Sequence, residues 1–84
     1  MMSFREEVIE LLSNTVADLL GVDASTLNEN TRFKEDLGCK SVNIVQITVA
    51  LENEYDVEVP YMAFNRCVTF GDAADYMSEL TGII

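Results

Sequence analysis

Eighty-four residues, 49% of them hydrophobic, suffice for one small packed core, so a single domain spanning residues 1–84 is expected. Fifteen acidic residues against five basic ones give a net charge of −10, a field that repels nucleic acid and anionic membranes. With no His, the usual general base for a Ser or Cys nucleophile is missing, and so is a common metal ligand.

No apolar run approaches the roughly 18 residues of a membrane span, and Met1–Arg5 does not lead into a signal-peptide core. A cytoplasmic protein is therefore expected. Cys39 and Cys67 form no CxxC pair and are expected to be free thiols.

Along the chain, Ser3-Phe4-Arg5-Glu6 has the form of a capping box. It predicts a first helix over Phe4–Leu20, with Phe4, Val8, Leu11, Leu12, Thr15 and Leu19 on the buried side. Glu6, Glu10, Ser13 and Asn14 are placed elsewhere, and Gly21 stops the helix. Residues 21–40 have no strong period and read as a long loop. Val22, Leu27, Phe33 and Leu37 are its anchors, with a short turn near Asp23–Leu27. The loop lacks the alternating ligands and terminal Glu of a calcium-binding EF-hand.

A second helix is predicted over Ser41–Tyr55. Ile44, Ile47, Thr48, Leu51 and Tyr55 form its core stripe, and Val42, Val45 and Val49 a second stripe roughly opposite. No charge falls between Val42 and Leu51, so the valine stripe is either buried or kept for a partner. Asp56–Pro60 alternates like a strand but has nothing to pair with, and reads as an extended connector. A short helix at Tyr61–Asn65 follows. Then Thr69-Phe70-Gly71-Asp72 caps a last helix over Phe70–Leu80, which packs Phe70, Ala73, Ala74, Met77 and Leu80 and ends at Gly82. The predicted fold is an all-α four-helix bundle with a long first loop and a short third helix.

Ser41 stands at the start of the second helix, behind Asp36-Leu37-Gly38. Two readings are open there. Ser41 is an ordinary N-cap, or its hydroxyl carries a phosphate that the unpaired N–H groups and the positive dipole end would welcome.

Asp36-Leu37-Gly38-x-x-Ser41, with the run Ala50-Leu51-Glu52-x-Glu54-Tyr55-Asp56-Val57-Glu58-Val59-Pro60, resembles acyl carrier proteins. The likeness continues through Thr69-Phe70-Gly71-Asp72-Ala73-Ala74-Asp75-Tyr76, and back through Leu20-Gly21-Val22 and Phe33-Lys34-Glu35. The short motif is moderately specific; its agreement with the register of nearly the whole chain is strong. The resemblance implies that Ser41 bears 4′-phosphopantetheine, transferred from coenzyme A by a holo-synthase, a phosphopantetheinyl transferase. The terminal thiol would carry acyl groups as thioesters between acyl-transferring or acyl-modifying enzymes of a fatty-acid, lipid or polyketide-type pathway. The protein would itself catalyse nothing, hold no metal and act as a monomer. Ile44, Ile47, Leu51, Met62 and Phe64 are the candidates to line an acyl pocket; ordinary core packing is the competing reading.

The chain departs from the family pattern in three places. Lys40 stands where Asp usually precedes the Ser, and Val42 where Leu usually follows, which bears on the choice of holo-synthase. Asn43, Gln46 and Asn53 replace acids on the second helix. The third helix is apolar with a basic end rather than acidic. The expected docking residues are therefore Lys40, Val42, Val45, Gln46, Val49 and Met62, acting through apolar contact more than charge. Two alternatives stay open: an aminoacyl or peptidyl carrier, and an unmodified interaction module of the same fold, which Lys40 favours and the retained Ser41 disfavours.

Overall fold

In the computed structural model, which describes residues 1–83, the chain forms four helices: α1 Phe4–Leu20, α2 Ser41–Tyr55, α3 Tyr61–Phe64 and α4 Phe70–Thr81. A single 3-10 turn at Ala24–Thr26 interrupts the loop after α1. The all-α bundle, its long first loop and its short third helix are as the sequence predicts.

Local chemistry sets the ends of α1 and α4. The Glu6 N–H donates to Ser3 Oγ (3.1 Å), and the Ser3 N–H donates to Glu6 Oε1 (3.0 Å). At α4 the Asp72 N–H donates to Thr69 Oγ1 (3.0 Å), and the Thr69 N–H returns to Asp72 Oδ2 (3.1 Å). Both helices stop at a glycine in the left-handed conformation, Gly21 (φ 72°) and Gly82 (φ 75°).

One core runs through all four helices, from Phe4, Val8, Leu12 and Val16 of α1 to Ile44, Ile47 and Leu51 of α2, Phe64 of α3, and Phe70, Ala73, Ala74 and Met77 of α4. Phe33 lies at its centre, with ring centroids 5.6 Å from Phe64 and 4.9 Å from Phe70.

Two expectations for α1 fail. Leu19 is 36% exposed, and Ser13 is buried with its hydroxyl donating to the Ile9 carbonyl (2.8 Å). The buried side is rotated toward the Phe4-Val8-Leu12-Val16 row, and at the helix end Leu20 and Val22 take the core position instead of Leu19. The small Ser can be buried because its hydroxyl satisfies itself within the helix.

The long loop is held at both ends of its span. Val22, Leu27, Phe33 and Leu37 all pack on the core, as expected of anchors. Its backbone also joins the segment before α4. The Phe33 N–H donates to the Val68 carbonyl (3.1 Å), the Phe70 N–H to Thr31 (2.9 Å) and the Gly71 N–H to Glu29 (2.8 Å). Arg5 of α1 bridges the same corner, 3.3 Å from Glu29 and 3.1 Å from Asp75. A Cβ on Gly71 would lie 2.7 Å from Arg5 Nη2 and 3.1 Å from the Glu29 carbonyl oxygen, so a larger residue there would displace the Arg5 side chain and press on the Glu29 backbone. Residues 56–60 form a connector, not a strand. Asp56 turns out of α2 with φ 52°, and the Val59 N–H donates to Glu52 Oε2 (2.8 Å).

Candidate functional site

The loop reaches α2 through a turn built by the Asp36-Leu37-Gly38 motif. Asp36 accepts from the Arg32 backbone N–H (2.9 Å) and from Arg32 Nη2 (3.0 Å). The hydrogen bond from the Arg32 side chain, then that from its backbone, holds the Asp36 carboxyl below its usual range. Gly38, at φ 66°, lets the chain double back. Its N–H donates to the Lys34 carbonyl (2.9 Å), and the Cys39 N–H donates to the Phe33 carbonyl (3.0 Å). The motif is thus a clamp on the loop, tied through Phe33 to the middle of the core.

Cys39 is buried, and burial pushes its thiol up. Cys67 is half-buried; burial first and Asp72 second push its thiol up to about 11. Both are free cysteines, and neither is prepared as a nucleophile.

Ser41 is the first helical residue of α2, not its N-cap. The cap position belongs to Lys40 (φ −102°, ψ 173°). An ammonium has no lone pair to offer, and no side chain caps the first turn. Half a capping box survives in the reverse direction, the Lys40 N–H donating to Asn43 Oδ1 (2.9 Å). Ser41 itself is exposed. The first turn is therefore left without a side-chain acceptor beside an exposed hydroxyl, a setting that suits a phosphodiester in both charge and hydrogen-bonding capacity.

Beyond Ser41 the two stripes of α2 separate cleanly. Ile44, Ile47, Thr48 and Leu51 are buried, the Thr48 hydroxyl donating to the Val45 carbonyl (2.7 Å). Val42, Val45 and Val49 are 61%, 45% and 46% exposed, and Gln46 and Lys40 are exposed beside them. Met62, assigned to both the pocket and the surface, is 73% exposed. It does not line the interior. Helix α3 is one turn of four residues, and the core takes Phe64 from it, leaving Met62 outside. Ile44, Ile47, Leu51 and Phe64 are all members of the packed core. Val68 is 53% exposed, and the sequence does not mark it, because it follows Cys67 in a connector with no period.

The family model for the phosphopantetheine attachment site matches residues 10–77, most of the chain and every element from within α1 to within α4. The chain belongs to this family and is a phosphopantetheine carrier domain. Its cofactor is 4′-phosphopantetheine, held covalently. Domains of this family are carriers and not catalysts, and they work with synthases and acyl-handling enzymes. No helix among the described residues is long and apolar enough to cross a membrane.

Proposed function

We propose that the chain is a single acyl carrier domain in which Ser41 bears the 4′-phosphopantetheine arm. The supporting observation is the start of α2, where an exposed Ser hydroxyl adjoins an uncapped first turn. Bound there, the group supplies a terminal thiol that holds acyl chains as thioesters. The residues of the chain do the positioning. Asp36 and Gly38 fix the loop, Phe33 anchors it, and the open turn of α2 receives the phosphate charge.

The pathway is a specialised one of fatty-acid, lipid or polyketide type. The exposed Val42, Val45, Val49 and Met62, with Gln46 and Lys40, form the docking surface for the holo-synthase and acyl-handling enzymes. Docking through valines predicts no steep loss of partner affinity between low and physiological salt. A calorimetric titration showing such a loss would refute this surface.

Ile44, Ile47, Leu51 and Phe64 would line the space for an acyl chain if the bundle opens between α2 and α3. Lys40 favours a second reading, an unmodified interaction module, because the residue preceding the Ser departs from the family pattern.

Intact mass of the protein from its native cell distinguishes these readings. The proposal expects a phosphopantetheinyl increment carrying an acyl group, released by hydroxylamine. An aminoacyl adduct would transfer the protein to the peptidyl-carrier class. An unmodified mass in the presence of active holo-synthases would favour the interaction module.

A further inference from the structure

Charge is partitioned across this molecule in a way its net value conceals. All fifteen carboxylate side chains lie outside two segments, residues 37–51 and 59–71, which together hold most of α2, all of α3 and the connector into α4. Those two segments contribute only Lys40 and Arg66 as charged residues. They also carry Val42, Val45, Val49, Met62 and Val68; among the described residues the other exposed large hydrophobics are Leu19 and residues 1, 2 and 83 near the termini.

Of the five basic residues, two are ion-paired among the described residues, and both lie outside these segments. Arg5 is engaged with Glu29 and Asp75, and Arg32 with Glu35 and Asp36. Lys34, Lys40 and Arg66 are exposed and pair with no carboxylate among the described residues. Lys34 and Arg66 line one small cavity together with Val68; the one carboxylate on it, Glu35, is held by Arg32 at 2.6 Å. Helices α2 and α3 pack on each other, which brings the two acid-free segments side by side.

From this partition we infer that the α2–α3 surface docks a protein partner whose contact patch is apolar and bordered by carboxylates. The inference rests on the reading of this surface as the docking face and adds its charge sign. The remaining negative charge does not forbid such a partner. The molecule measures 30 × 30 × 19 Å, while the screening length at physiological salt is about 8 Å. At that salt a carboxylate patch at Lys40 and Arg66 feels these cations most; of the acids close by, Glu35 and Asp36 are paired with Arg32, and Asp72 accepts from the Val68 and Thr69 N–H groups. In dilute buffer the screening length grows to about 30 Å, and the whole −10 then opposes approach. Affinity should consequently peak at intermediate salt and fall on either side. A basic partner would instead lose affinity steadily as salt is added.

The test uses two defined probes, an amphipathic Leu/Glu helical peptide and its Leu/Lys counterpart of equal length. Each is titrated into isotopically labelled full-length protein and followed by amide shift changes. The Leu/Glu peptide should perturb Val42, Val45, Val49, Met62 and Arg66, with tightest binding at intermediate salt. Joint Lys40→Glu and Arg66→Glu substitution, at two exposed positions, should weaken it by about tenfold. The Leu/Lys peptide should map to the acidic surfaces of α1 and α4. Preference of the Leu/Lys peptide for the α2–α3 surface, or unchanged Leu/Glu affinity after charge reversal, overturns the inference. So does self-association of the protein lost on Val45→Ser, or binding of the same residues to phosphatidylglycerol vesicles. Intact mass after holo-synthase treatment is read on the same samples, so failure of the carrier reading at Ser41 registers separately from failure here.

Discussion

Three helices of this protein begin after a polar residue, but only two of them are closed. Helices α1 and α4 start with a Ser or Thr whose oxygen accepts a first-turn N–H, and with an acid that reaches back to the cap. Helix α2 starts after Lys40, which can accept nothing, and its Ser stands one position too late to cap. Caps of the first kind are typically worth about 1 kcal/mol each. The open turn forgoes that stabilisation at the helix start where the proposed attachment residue, Ser41, stands. The same residue type, Ser, therefore closes one helix at position 3 and is left available at position 41.

Substitutions sharpen this contrast. The largest stability effect should come from the core that anchors the loop: Phe33→Ala is expected to cost about 3–5 kcal/mol, read as a fall in the urea midpoint. Gly71→Ala comes next, at no more than about 1 kcal/mol by the same measurement, because its methyl group presses on the Glu29 carbonyl while the Arg5 side chain can swing aside and alanine favours the helix. Thr69→Ala should cost about 1 kcal/mol in thermal unfolding, whereas Ser41→Ala should stay within about 0.5 kcal/mol of wild type. Equal losses at positions 69 and 41 would erase the distinction between closed and open starts. Lys40→Asp should raise stability by about 0.5–1 kcal/mol by supplying the missing acceptor at the first turn.

The smallest effect concerns Cys67. A thiol raised to about 11 stays protonated until well above neutral pH. This contribution to stability is therefore intact below the ordinary thiol range and lost only as pH climbs through about 11. At pH 8 about one molecule in a thousand has the thiolate, so iodoacetamide should label Cys67 far more slowly than free cysteine.

Much of the fold was legible because its determinants are local. Ser3 with Glu6, and Thr69 with Asp72, are read three residues apart, and Gly21 and Gly82 mark their own helix ends. What could not be read depends on neighbours. Period places Leu19 on the inner side of α1, but only the packed structure shows that the core contact passes to Leu20 and Val22 there. Val68 and the backbone bridge between Arg32 and Thr69 join segments far apart in the chain, with no sequence pattern to announce them. Met62 looked equally suited to pocket and surface, because a one-turn helix has no period from which to choose. At Ser41 the motif fixed the candidate, but a Ser before a helix looks the same as cap or as first helical residue. A one-residue offset separates a satisfied hydroxyl from a free one.

The assignment of Ser41 is tested most directly by mass mapping of the protein after incubation with coenzyme A and a panel of holo-synthases, alongside Ser41→Ala. The account predicts one phosphopantetheinyl increment, located on the peptide containing Ser41 and absent from Ser41→Ala. An increment that survives in Ser41→Ala, or wild type left unmodified by every synthase tested, would contradict it.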